Sequence, residues 1–235
     1  MIKFISRGTF GQVFLAFLPN TEKYYAIKCL NKNDLIEKDL IENAKLEKMI
    51  MLGIKHPFIV RMHFVFQKNY RIYFVMDYVK GGELFHHLQL VRRFTETQVK
   101  FISVQIILAI GYLHLKFNVK YRDLKPENVI FDQHGYIKLT DFGLAKAADF
   151  SNTICGTPEY VAPEMLLGKR HDKNVDWWAL GIMIYELLAG IPPFYNKDTT
   201  VMFNNIKNME ILWPNMQENK FEFSKDAIDV IQQLL

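Results

Sequence analysis

Tyr121-Arg122-Asp123-Leu124-Lys125-Pro126-Glu127-Asn128 and, thirteen residues beyond Asn128, Asp141-Phe142-Gly143 gather three oxygen-bearing side chains in a short stretch of chain. Asp123, Asn128 and Asp141 fall in loops adjoining a short hairpin expected over Val129–Phe131 and Tyr136–Leu139, so they can converge on one point. Asp and Asn oxygens suit Mg²⁺, which takes a few protein oxygens and fills its shell with water and substrate phosphates. Any one of these residues is also a common turn former. All of them together are hard to explain as turns.

Two weaker signals lie upstream. Ser6-Arg7-Gly8-Thr9-Phe10-Gly11-Gln12-Val13 sits between strand candidates, and Gly8 and Gly11 would let backbone N–H groups approach a phosphate with no Cβ in the way. Alone, such a hairpin is more often only a turn. Lys28 follows Ala26-Ile27 on the next strand, where an inward ammonium is costly unless it meets an anion; a lysine that reaches the surface is the ordinary alternative. Glu47, on the following helix candidate, would supply that anion and leave Lys28 to hold phosphate oxygens.

The elements that must position these groups follow from the apolar pattern. Gln12–Leu18 and Lys23–Leu30 read as strands separated by the turn Pro19-Asn20-Thr21, a hairpin. Helical spacing over Asp34–Leu52 predicts one helix, stopped by His56-Pro57, and Arg61–Phe66 and Arg71–Met76 read as further strands. Beyond Lys80-Gly81-Gly82, Thr95 and Gln98 form a capping box that opens a helix with Val99, Ile102, Ile106, Ala109 and Leu113 on one face. The expected fold is therefore α+β and two-lobed: a small β-sheet lobe with one main helix over 1–76 and a larger, mostly helical lobe beyond Lys80-Gly81-Gly82.

Composition sets the outer bounds. Among 235 residues, 50% are hydrophobic and 14% aromatic, with 12 Gly and 8 Pro, which excludes a disordered or fibrous chain. The net charge of +4 is spread along the chain, which argues against nucleic acid as a partner. Cys29 and Cys155 lie far apart, so neither a disulfide framework nor a zinc site is expected. The most apolar stretch, Trp177–Phe194, is broken by Glu186 and closed by Pro192-Pro193, and no membrane association is expected. The expected location is cytoplasmic, with the nucleus as a second compartment.

With these motifs in this order, and with Ala162-Pro163-Glu164 behind them, the chain resembles eukaryotic-type protein kinases. Lys125, two residues after Asp123, resembles the Ser/Thr-kinase pattern. Tyr121 in place of a usual His, Gly156-Thr157-Pro158-Glu159-Tyr160 and Asp176-Trp177-Trp178-Ala179-Leu180-Gly181 are similar to the group of cAMP-dependent, cGMP-dependent and protein kinase C-like (AGC) kinases. The resemblance implies ATP and Mg²⁺ as cofactors and transfer of the γ-phosphate to Ser or Thr of protein substrates. It implies that Ile5, Ser6, Gly8, Gly11 and Val13 cover the phosphates, that Ala26 touches adenine, and that Lys28, paired with Glu47, binds the α and β phosphates. Met76 would guard the back of the adenine pocket, Asp77 to Val79 would bond adenine through the backbone within a hinge over 77–82 that leads into the large lobe over 83–235, and Glu83 would reach ribose or substrate. Asp123 would accept the substrate hydroxyl proton, Lys125 would steady the γ-phosphate, Asn128 and Asp141 would hold the metals, and Thr157 would bond to the catalytic loop.

Further implications concern substrates and control. Glu83, Glu127 and Glu186 match positions that bind basic residues N-terminal to the acceptor. Thr153, within reach of Arg122 and Lys146, matches a site phosphorylated by an upstream activating kinase. The sequence departs from the pattern at Ser6, where a glycine is usual, and at Asn43, where related kinases often carry a histidine. The last segment, Ser224–Leu235, reads as a packed amphipathic helix with a serine N-cap and no C-cap signal. The resemblance implies further helices, one supplying a partner for Glu164, and a C-terminal tail; the expectation is that a chain lacking them melts low and turns over weakly. The alternative reading is accordingly a kinase-fold scaffold or pseudokinase with weak or no turnover.

Overall fold

A computed structural model describes residues 2–8, 11–147, 155–214 and 222–235. Strands β1 (Lys3–Gly8), β2 (Gly11–Leu18), β3 (Lys23–Asn31), β4 (Met62–Lys68) and β5 (Arg71–Asp77) form one antiparallel sheet in the order β1-β2-β3-β5-β4. The register pairs Lys28 with Val13 on one side and Phe74 on the other, and pairs Ala26 with Leu15 and Met76. Cross-strand partners share a face and side chains alternate with period two, so Val13, Ala26, Lys28 and Met76 emerge together. A Cβ on Gly11 would run into the carbonyl oxygen of Cys29, so the close packing of β2 on β3 requires glycine there.

The single helix expected over Asp34–Leu52 is two, α1 (Lys32–Glu37) and α2 (Ile41–Gly53). Asp39 adopts φ 52°, the left-handed region in which a right-handed helix ends, and the Leu40 N–H turns back to the Leu35 carbonyl at 2.8 Å. Alternating charges and apolar residues run through this break, which is why periodicity alone misses it. With 13 residues, α2 is the main helix of the small lobe.

The larger part contains α3 (Leu84–Val91), α4 (Glu96–Tyr112) with a π-helical turn over Leu113–Phe117, α5 (Pro163–Leu166), α6 (Asn174–Ala189), α7 (Thr199–Asn208) and α8 (Lys225–Leu234). The capping box of α4 forms, with Thr95 accepting from the Gln98 N–H at 3.3 Å and Gln98 accepting from the Thr95 N–H at 2.9 Å. Val99, Ile102, Ile106, Ala109 and Leu113 are buried, as their spacing requires. By length and composition Glu96–Phe117 is the one helix among the described residues able to cross a membrane, and half of its apolar window is buried inside the lobe. The Ser224 side chain caps α8, whose Ile231 is fully buried and whose Leu234 and Leu235 abut Gly181 of α6. Glu164 is only partly buried.

Four short strands complete the scaffold: β6 (Val119–Lys120) pairs with β9 (Lys146–Ala147), and β7 (Val129–Phe131) forms a hairpin with β8 (Ile137–Leu139). The segment after β5 is stitched to β7, with the Gly81 N–H donating to the Phe131 carbonyl at 2.8 Å and the Phe131 N–H donating to the Gly82 carbonyl at 2.9 Å. A Cβ on Gly81 would strike the carbonyls of Phe131 and Asp132, so this close approach depends on glycine.

Candidate active site

A cleft of about 360 Å³ lies between the sheet and the helical part. Its roof is the sheet face set by the register, with Ile5, Ser6, Gly11, Val13 and Ala26; its back is Lys28, Glu47 and Met76; Asp77, Val79 and Glu83 form its edge. Asp123, Lys125, Glu127, Asn128 and Asp141 form its floor. Of the positions expected to cover a nucleotide, Gly8 ends β1 opposite Gly11.

Lys28 is 5% exposed, and its Nζ lies 2.7 Å from Glu47 Oε1 and 2.9 Å from Asp141 Oδ1. Burial opposes the charge on Lys28, but the two carboxylates outweigh it and hold the ammonium above its ordinary range. Burial likewise works against the Asp141 carboxylate, and Lys28 together with the Gly143 N–H overcomes it, so Asp141 stays ionised below its ordinary range. Burial pushes Glu47 up while Lys28 and the Phe142 N–H pull it down. A cation held between two carboxylates thus ties a helix to a loop 94 residues apart, from Glu47 to Asp141, at the back of the cleft.

The floor is organised by a residue that sequence reasoning did not assign a role. Asp176, on α6, is fully buried; it accepts from the Tyr121 N–H at 2.9 Å and the Arg122 N–H at 2.7 Å, and lies 2.7 Å from His114 Nε2. These bonds hold the backbone through Arg122, whose φ of 65° is left-handed, directly before Asp123. The signal available in the sequence was an acidic residue opening an otherwise apolar helix, Asp176-Trp177-Trp178. Tyr121, at the position where a histidine is usual, is fully buried, donates its hydroxyl to the Thr140 carbonyl and sets its ring edge-on to Phe142 at 5.2 Å. Burial pushes its phenol well above the ordinary range, so it remains a neutral donor.

Asp123 receives the Asn128 amide on Oδ2 at 2.8 Å, while Lys125 Nζ stands 3.3 Å away and the Thr157 hydroxyl 3.4 Å from Oδ1. Lys125 also donates to Thr157 Oγ1 at 2.8 Å, which joins Thr157 to the segment Asp123–Asn128. The orientation of Asn128, nitrogen toward Asp123, leaves its side-chain oxygen as the group able to face a cation. Among the described residues no three His, Cys, Asp or Glu form a metal cage. An Asn and an Asp oxygen on one cleft instead fit a hard cation that takes the rest of its shell from water and phosphate.

The glutamates expected to read substrate differ in placement. Glu83 is exposed at the cleft edge and Glu127 is half-buried in its floor. Glu186 does not line the cleft: it is 7% exposed within α6 and accepts the Tyr160 hydroxyl. Burial, then Glu127 and Glu159, push its carboxyl up to about 8, so the proximity of these carboxylates is real although the side chain is not a surface group. Thr153 lies outside the described residues.

Residues 1–235 match the protein kinase domain family. The chain is 47% identical over 237 residues to the cAMP-dependent protein kinase catalytic subunit of Dictyostelium discoideum, covering 100% of this chain and 35% of that protein. It is 47% identical over 221 residues to the serine/threonine-protein kinase Sgk1-A of Xenopus laevis and 46% identical over 221 residues to Sgk1 of Homo sapiens, in each case covering 92% of this chain and 51% of the relative. The chain therefore spans from about a third to about half the length of the curated relatives it matches.

Proposed function

Because the chain belongs to the protein kinase domain family, we propose that it transfers the γ-phosphate of ATP to serine or threonine hydroxyls of protein substrates. The observation that carries this reading is the opposition, across one cleft, of the Lys28–Glu47–Asp141 bridge and the Asp123–Lys125–Thr157 cluster. Kinases of this family use ATP and Mg²⁺. Lys28 holds phosphate oxygens, Asn128 and Asp141 hold Mg²⁺, Asp123 positions the acceptor hydroxyl and takes its proton, and Lys125 steadies the transferred group. Ile5, Ser6, Gly8, Gly11 and Val13 cover the phosphates, and Ala26, Met76, Asp77 and Val79 surround adenine. Glu83, Glu127 and Glu186 select basic residues before the acceptor. An upstream kinase acts on Thr153, and the enzyme works in the cytoplasm, with the nucleus as a second compartment.

The test is transfer of labelled phosphate from ATP to peptides differing only in a Ser, Thr or Tyr acceptor. Label is expected in Ser and Thr peptides alone. Asp123→Asn should lower kcat by about 10²–10⁴-fold, the span for a positioned acid or base, with ATP affinity retained. Undiminished turnover in that variant, purified away from other kinases, would overturn the mechanism. ATP binding without transfer in the unaltered chain would favour the scaffold reading.

A further inference from the structure

Asn43 and Glu47 stand one turn apart on the same face of α2. Both reach the segment Asp141–Gly143. Asn43 Nδ2 lies 3.4 Å from the Gly143 carbonyl oxygen, and Glu47 lies near enough to the Phe142 N–H for that dipole to help hold its carboxyl down. Lys28, held by Glu47 at 2.7 Å, grips Asp141 at 2.9 Å. Asp141 is thus tied to the helix through Lys28 and Glu47, and Gly143 directly through Asn43. Two features make the ties matter. Asp141 has φ 53°, a left-handed conformation uncommon outside glycine, which its own carboxylate supports by accepting the Gly143 N–H at 3.2 Å. The first turn of α2, where Asn43 sits, has no side-chain N-cap, because Leu40 occupies that position.

We propose that Asn43 is a positioning residue whose amide latches the first turn of α2 to Gly143, so that the helix carrying Glu47 and the loop carrying Asp141 move as one body. Glu47 and Lys28 alone leave the helix able to pivot about a single turn; a second bond one turn away removes that pivot. The latch is an amide-to-carbonyl bond within the chain and needs no added phosphate, so the cleft keeps this arrangement in unmodified protein. Asparagine supplies what the place demands. Aspartate there would set an acceptor against an acceptor, with the Glu47 and Asp141 carboxylates near by.

The functional part of this inference rests on the kinase reading, and the experiment separates the two. Phosphatase-treated protein is compared with its Asn43→Ala, Asn43→Asp and Asn43→His variants, the last keeping a ring N–H donor. Asn43→Ala should lower kcat about threefold to tenfold, the span for one neutral hydrogen bond, at unchanged KM for the peptide. Asn43→Asp should lose at least as much, and Asn43→His should regain most of the loss. Hydrogen exchange of the Phe142 and Gly143 amides should quicken about threefold to tenfold in the Ala and Asp variants, with melting temperatures little changed. If the unaltered chain transfers no phosphate, the kinase reading fails and the exchange rates still decide the latch. Wild-type exchange and turnover in the Ala and Asp variants would overturn the latch. So would equal losses in all variants together with a common fall in melting temperature.

Discussion

Glu47 on α2 and Glu186 on α6 are buried to similar depth, 3% and 7% exposed, and their surroundings are opposite. Glu47 meets Lys28 at 2.7 Å, and Lys28 also meets a second carboxylate, Asp141, so each acid at the back of the cleft has a cation within the chain beside it. Glu186 faces Glu127, Glu159 and the Tyr160 hydroxyl, and among the described residues no cation pairs with it. With its carboxyl pushed up to about 8 by burial and by those neighbours, it is largely protonated near neutral pH. At the first site the cation is internal. The second would ionise at low cost when a cation arrives from elsewhere, which on the proposed function is how a substrate guanidinium would be read.

Removing the internal cation breaks this contrast most strongly. Lys28→Met leaves buried Glu47 beside the partly exposed Asp141 without a counter-charge, a loss of about 3–5 kcal/mol. At about 2–4 °C per kcal/mol for a chain of this size, the melting temperature should fall by about 6–20 °C, and phosphate transfer should be lost with it. Calorimetry and a peptide assay measure both. A variant that melts within a degree or two of the parent would mean that the bridge is not holding the two lobes' elements together.

The second effect sharpens the other half of the contrast. Peptides with an Arg two or three residues before the acceptor should exceed the matching Ala peptides in kcat/KM by about tenfold to a hundredfold, the span of a charge-assisted bond. Glu186→Gln, which cannot ionise to meet a guanidinium, should narrow that ratio. Equal use of the Arg and Ala peptides by the parent protein would remove Glu186, Glu127 and Glu83 as specificity residues.

Much of this was legible in the sequence, because local patterns wrote it. The strands around Ala26 and Lys28, the capping box at Thr95 and Gln98, the hairpin after Asn128 and the apolar stripe from Val99 to Leu113 depend on neighbours within a few residues. What periodicity could not show was conformational or long-range. The left-handed Asp39 splits one expected helix in two without altering its apolar pattern. Asp176 meets Tyr121 and Arg122 from 55 and 54 residues away, so its part in shaping the floor exists only once α6 is packed. The same holds for Glu186, whose match to a substrate contact was visible but whose burial and proton are products of tertiary packing.

That proton gives the smallest of the expected effects and the most direct reading of the comparison. The folded carboxyl of Glu186 holds its proton up to about pH 8, whereas an unfolded glutamate releases it near 4.5. The folded state therefore binds more protons than the unfolded state between these values, and the stability contributed by this group falls as pH rises toward 8. From pH 7 to pH 9 the loss should be about 1.4 kcal/mol, or about 3–6 °C in melting temperature. Other groups add their own slopes, so the readout is the difference between the parent and Glu186→Gln, whose amide does not titrate. The parent should melt lower at pH 9 than at pH 7 by that much more than the variant does. An arginine-bearing peptide in excess should shrink the gap by supplying the cation that stabilises the ionised form. Parallel melting curves for the two proteins without peptide would mean that Glu186 does not lose a proton between pH 7 and pH 9, and would remove the protonated carboxyl on which its reading of a substrate cation rests.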